Sequence, residues 1–297
     1  MKILLLGKNG QVGWELQRSL QPLGDVVALD RHSTPLCGDL LQPAALAETV
    51  RAVRPDVIVN AAAYTAVDKA ESDAEAARTI NAEAVGVLAR EAKALGAWLV
   101  HYSTDYVFNG SGSTPWLEEA ATGPLSVYGQ TKLDGEQLIA ASGAKHLVFR
   151  TSWVYAARGG NFAKTMLRLA QERDKLAVID DQWGAPTGAE LIADVTAHAL
   201  RMAVAGVQDL SGIYHLVASG ETTWNRYAQF VLEQAKQINP ALNITAREVA
   251  AVDTSAFPTP AKRPNNSRLN TQKLQQRFGL VLPPWQTGVQ RMLQEIL

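Results

Sequence analysis

Three shortages bound this 297-residue chain before any motif is considered. Cysteine occurs once, as Cys37, which excludes an intrachain disulfide and a cysteine-based metal site. That usage fits a reducing compartment, so the expectation is a cytoplasmic protein. An excess of one charge is also missing. Lys plus Arg number 28 against 29 Asp plus Glu, a net charge of −1. No electrostatic footprint for nucleic acid or an anionic membrane follows from that balance. Long apolar runs are the third shortage. The first, over 3–6, stops before Gly7 and is shorter than the core of a signal peptide. No later stretch approaches the ~20 apolar residues of a membrane-spanning helix. Hydrophobic residues still make up 47% of the chain, so a sizeable core is available and disorder is excluded.

What is present is alternation. Short apolar runs over 2–6, 25–29, 56–60, 97–102 and 146–150 read as buried strands. Helical patterns lie between them, over 11–20, 43–53, 71–95 and 128–141. Continuous apolar strands separated by helices predict an α/β, Rossmann-type doubly wound parallel sheet, covered on both faces. The second half is less regular. Helices are expected over 161–171, 188–200 and 224–235 and from Trp285 onward, with an extended loop around Pro258, Pro260 and Pro264. A buried strand near 212–217 is expected to return to the main sheet. Residues 1–150 thus read as a dinucleotide-binding domain, and 151–297 as mainly a smaller C-terminal substrate-binding domain.

Two segments carry chemistry. Gly7, Gly10 and Gly13 frame a loop between the first strand and first helix, with Gln11 and Val12 opening that helix. A tight turn and free N–H groups at a helix start suit a pyrophosphate. The G-x-x-G-x-x-G spacing alone is also compatible with ordinary turns; the strand–loop–helix order favours the binding role. Asp30 closes the second strand where a ribose-binding carboxylate is expected, and Arg31 follows it with Lys8 nearby. A carboxylate suits NAD and a guanidinium suits NADP, so both NADH and NADPH stay open. Asp39 and Leu40 either border the adenine or form an ordinary loop.

The second segment is Tyr128-Gly-Gln-Thr-Lys132. Tyr and Lys four apart share a helix face. An ammonium ~5 Å away at an effective dielectric of ~20 favours phenolate by ~3 kcal/mol, which would bring Tyr128 towards neutral pH. Thr104 and Asp105 run off the fourth strand, where parallel sheets bind ligands. Thr104 is placed to donate to a carbonyl and Asp105 to accept from sugar hydroxyls, or both serve as turn residues. Trp153 follows the fifth strand and either stacks on a ligand or packs in the core. Arg263, among prolines, either meets a diphosphate or stays solvated. Glu15 and Glu190 are acidic candidates for Mg²⁺, although two distant glutamates make no ligand pattern and a plain surface role is favoured.

Together, Gly7, Gly10, Gly13, Asp30, Asn60-Ala-Ala-Ala63, Asn81, Thr104, Tyr128 and Lys132 resemble the extended short-chain dehydrogenase/reductase family. The similarity runs from Met1 to about Asn270 and is most specific in the first half. It implies reduction, by NADPH or NADH, of the C4 keto group of a dTDP-sugar, dTDP-4-dehydro-6-deoxy-L-mannose. Tyr128 would be the proton donor, Lys132 its partner and the ribose ligand, and Thr104 the carbonyl polariser. Ala63, Tyr64, Thr65 and Tyr102 would line the cofactor, and Asp105 and Trp153 the sugar nucleotide. A homodimer is implied, and magnesium is associated with some members.

Other readings compete. A dehydratase of this family carries Thr-Asp-Glu where this chain has Thr104-Asp105-Tyr106, so its base is absent. A related epimerase also binds the cofactor, so the glycine loop does not set it apart; a non-catalytic cofactor-binding regulatory subunit need not preserve Thr104, Tyr128 and Lys132, all present here. A flavin- or SAM-binding Rossmann protein leaves the Tyr–Lys pair unexplained.

Overall fold

The computed structural model describes residues 1–297. Six strands form one wholly parallel sheet: β1 (Lys2–Leu6), β2 (Asp25–Leu29), β3 (Val57–Asn60), β4 (Trp98–Thr104), β5 (Lys145–Thr151) and β6 (Gly212–His215). Their order is β6-β5-β4-β3-β1-β2. Side chains alternate across the sheet, and both sides are covered. Ile3, Leu5, Val59 and Phe149 pack on Leu16 and Leu20 of the Gln11–Leu20 helix and on Ile192 and Leu200 of the Ala189–Val204 helix. Leu4, Leu6, Ile58 and Val148 meet Leu46, Leu88 and Ile139 from three helices on the other face. Burial on both faces is why the strands read as unbroken apolar runs rather than alternating ones.

The chain contributes to this layer from both halves. The Ala189–Val204 helix and β6 belong to the second half yet complete one face and one edge of the sheet. The remaining second-half elements build a lobe of their own. Helices Phe162–Glu172, Trp224–Ile238 and Trp285–Ile296 enclose Tyr155, Met166, Tyr227 and Trp285.

One expectation needs refinement. The helix expected over 71–95 begins at Ala74, after a separate turn at Val67–Ala70; Ala74–Arg78, a π-helical turn over Thr79–Glu83 and Ala84–Leu95 then run on without interruption. The apolar stripe hides the π turn, but its extra residue turns Asn81 inward; such turns concentrate at functional sites. A parallel strand pair, Lys175–Ile179 with Glu248–Val252, also went unread. Each strand is short, partly exposed and distant in sequence from its partner, so periodicity gave little signal. The strand expected near 212–217 ends at His215.

Candidate active site

Strand order reverses between β1 and β3, and the loops leaving these strands part there, opening the crevice where parallel sheets take ligands. The glycine loop lies at that point. Gly7 and Lys8 N–H groups both donate to Leu29 O, tying the loop to the end of β2. A Cβ on Gly13 would lie 2.0 Å from Gly7 O, so only glycine lets the helix sit this close to the loop. Gly10 precedes that helix, no side chain caps it, and the position is exposed. Free N–H donors at an open helix start fit a dinucleotide pyrophosphate. Val12 is half-buried against the core; Gln11 donates to Gly160 O at 2.8 Å, reaching into the second half.

Asp30 accepts from the His32 N–H, Ser33 Oγ and Asn9 Nδ2, with Lys8 at 4.0 Å. The His32 N–H chiefly holds its carboxyl below the usual range. Arg31 is exposed beside it. Asp39 accepts from Leu41 N and Gln42 Nε2 ahead of the Pro43–Val53 helix, whereas the Leu40 side chain is buried in the core. After β3, Ala63 and Thr65 are exposed. Tyr64 is pinned between them: its N–H donates to Asn81 Oδ1 at 2.9 Å and its carbonyl accepts from Asn81 Nδ2 at 3.1 Å. Asn81 also donates to Thr131, so the π turn locks this loop to the helix bearing Tyr128.

That helix, Val127–Ser142, starts at Ser126, whose Oγ accepts from the Gly129 N–H. A Cβ on Gly129 would meet Tyr106 O at 2.3 Å. The close approach brings Tyr128 edge-on to Tyr106, with ring centroids 5.5 Å apart. Thr104 is buried, accepts from Tyr106 N and donates to Asp105 Oδ1 at 3.1 Å. The turn role expected of Thr104 is therefore present. Burial pushes the Tyr128 phenol up to about 12, while Thr104 pulls against the shift. The Lys132 Nζ donates to Tyr102 O at 2.5 Å and lies 3.2 Å from His101 Nε2. Burial thus outweighs the lowering expected for Tyr128 and favours its neutral phenol. Burial in turn brings Lys132 down to about 8. Tyr102 directs its hydroxyl to Thr196, 2.8 Å away.

Asp105 is 2% exposed, and its Oδ2 has no hydrogen-bond partner. Burial raises its carboxyl to about 6, with Ser267 and Thr104 opposing. Beyond Tyr106 and Ser267 opens a cleft of about 310 Å³, walled by Trp153, Phe162, Trp224 and Arg263. Trp153 takes a positive φ of 49° and stacks on Trp224 at 3.6 Å. It is thus both packed and at the cleft wall. Arg263, with 27% of its side chain exposed at the cleft, grips Asp68 through both nitrogens at 3.1 and 2.7 Å.

Glu15 and Glu190 come within electrostatic reach of each other, yet each is held by an arginine, Arg18 at 3.4 Å and Arg291 at 3.3 Å. No group of three or more His, Cys, Asp or Glu side chains is placed to hold a metal ion. Sequence reasoning missed His101, Trp224, Phe162 and Ser267, and the buried Arg150–Glu136 pair beneath β4. A histidine and an arginine inside otherwise apolar strands were the available signals.

The RmlD substrate binding domain family matches residues 1–297. A dTDP-4-dehydrorhamnose reductase of Shigella flexneri is 62% identical, covering 100% of this chain and 98% of that protein. One from Burkholderia thailandensis is 49% identical over 100% of this chain and 99% of its own. Among solved structures, a Clostridium acetobutylicum dTDP-4-dehydrorhamnose reductase gives a TM-score of 0.89 at 33% identity, covering 100% of this chain and 99% of that one. A Bacillus anthracis enzyme of the same name, in complex with NADP, gives 0.86 at 32% identity, with 99% of each chain covered. No helix is long and apolar enough to cross a membrane.

Proposed function

The chain belongs to the RmlD substrate binding domain family, and on that premise we propose how it reduces the C4 keto group of dTDP-4-dehydro-6-deoxy-L-mannose to give dTDP-L-rhamnose. The observation that carries the mechanism is the neutral, half-buried Tyr128 beside Thr104, at the carboxyl end of β4 and next to the aromatic cleft. A nicotinamide cofactor, when bound, supplies the hydride to C4. The glycine loop Gly7–Gly13 and the open helix start hold its pyrophosphate, with Asp30, Lys8 and Arg31 around the adenosine ribose. Lys8 and Arg31 favour NADPH, through the 2′-phosphate, while Asp30 leaves NADH usable. Ala63, Tyr64 and Thr65 flank the nicotinamide side.

Thr104 hydrogen-bonds the C4 oxygen and fixes it against Tyr128. As negative charge grows on that oxygen, Tyr128 gives up its phenolic proton to it. A phenol raised to about 12 stays protonated at neutral pH until the alkoxide, a stronger base, forms. Lys132 orients ribose hydroxyls. Asp105 faces the sugar with its unpartnered oxygen, and Trp153 and Trp224 enclose the nucleotide. Residues 1–150 serve the cofactor and 151–297 mainly the substrate. A cytoplasmic homodimer completes the proposal.

The test is to mix the purified protein with NADPH, and separately NADH, and the enzymatically prepared keto-sugar. Cofactor oxidation with a product two hydrogens heavier is expected. Tight cofactor binding without oxidation would favour a regulatory subunit, and an isomeric product of unchanged mass an epimerase.

A further inference from the structure

Lys132 stands at the end of a run of groups in which each hydrogen-bonding role fixes the next. The Ala62 backbone N–H can only donate, and it lies 3.2 Å from Asn60 Oδ1. That sets the Asn60 amide, because the flipped orientation would face two donors. Asn60 Nδ2 then meets His101 Nδ1 at 3.2 Å. Nδ1 must therefore carry the lone pair, and the ring proton sits on Nε2. Nε2 faces Lys132 Nζ at 3.2 Å. An N–H pointing at this nitrogen is satisfied by an amine lone pair and opposed by an ammonium. Asn60, His101 and Lys132 are at most 2% exposed, so bulk water cannot repair a mismatch.

We propose that His101 is a positioning residue of the reduction: locked by Asn60 as the Nε2–H tautomer, it hydrogen-bonds Lys132 as a neutral amine and so sets how many protons the lysine carries before cofactor binds. The neutral amine accepts from His101, donates one N–H to Tyr102 O and has a second N–H to offer.

The surroundings agree with that arrangement. On its own helix Lys132 has Tyr128 one turn back and Glu136 one turn on. Glu136 favours an ammonium but is itself taken by Arg150 and Ser103. From β4 the lysine meets only His101 and the Tyr102 carbonyl, and β3 reaches it through Asn60. Burial lowers Lys132 more strongly than Glu136 raises it. Burial holds His101 well below its ordinary range, so an imidazolium is not the alternative. The functional consequence rests on the proposed reaction. An ammonium at position 132 eases proton loss from Tyr128 and a neutral amine does not, so turnover falls as pH rises through the lysine's titration.

The tautomer is measured first, on the wild-type protein without cofactor. Nitrogen-15 NMR, with His101 assigned through its ring carbons, reads both ring nitrogens. A protonated Nε2 and a bare Nδ1 are expected at pH 9, above the lysine's titration; a protonated Nδ1 or a doubly protonated ring there overturns the proposal. This readout needs no turnover, so it stands apart from the reaction. The second measurement is the pH profile of kcat in His101→Gln, whose amide can turn its oxygen to Lys132 and favour the ammonium. The alkaline limb should move up by about one pH unit, a tenfold gain over wild type on the falling limb. An unmoved limb overturns the role of His101. A wild-type chain that never oxidises NADPH would instead overturn the reaction assigned above.

Discussion

Thr104 stands between Tyr128 and Asp105, and burial strengthens the hold of both on a proton. For Tyr128 this suits the proposed role of proton donor. Tyr128→Phe should bind NADPH within about threefold of wild type and lose ~10²–10⁴ in kcat, as expected when a general acid is removed. Near-normal kcat would contradict the assignment. For Asp105 the same effect weakens the fold. Its folded value of about 6 lies above the ordinary 3.8, so the native state binds the extra proton and stability falls as pH rises from about 4 to about 6. The loss is bounded by ~3 kcal/mol. Asp105→Asn lacks that titration. Urea unfolding at pH 4.5 and 7 should show the variant gaining stability relative to wild type at the higher pH. A constant difference between the two proteins would show that Asp105 is not perturbed.

At the scale of elements, most of the main sheet was legible. Its strands are buried on both faces, so each announces itself as an apolar run between helices. Proline at 43 and glycine at 96 mark helix ends by local chemistry alone. What stayed hidden depends on distant partners. The π turn inside the 74–95 helix leaves its apolar stripe intact, and only the Asn81 contacts to Tyr64 and Thr131 give it a purpose. The spacing puts Lys132 on its helix, but its engagement with His101 and Tyr102 stayed hidden, because β4 is about 30 residues away in sequence and meets that helix only in the folded layers. The Val127–Ser142 helix offers an element-level test. Gly129→Ala places a methyl 2.3 Å from Tyr106 O, backbone that cannot swing away. A cost of about 1–3 kcal/mol is expected from such overpacking. Tyr128 is the adjacent residue, so kcat should drop more than tenfold as well. A lower melting temperature with unchanged kcat would mean that the helix start does not set the tyrosine.

Across the whole molecule, a buried charge pair braces the main sheet and a long-range grip ties the two halves beside the cleft. Arg150 on β5 meets Glu136 through two bonds at 2.9 and 2.6 Å, with both side chains at most 3% exposed, and also reaches Glu118 O. Glu136→Gln leaves the guanidinium without its counter-charge and should cost about 3–5 kcal/mol. A denaturation midpoint unchanged from wild type would refute that. Arg263 on Asp68 draws the proline-bearing loop of the second half onto the segment after β3. The sequence offered a diphosphate or solvent for this arginine; an internal partner almost 200 positions away lies outside any local pattern.

The central claim is that hydride enters at C4 of the sugar and a proton at its oxygen. It is tested most directly with NADPH carrying deuterium at the transferred position, followed by mass and proton NMR of the product. The account predicts one deuterium, bound at sugar C4. Deuterium at another carbon, or a reduced product without it, would contradict it.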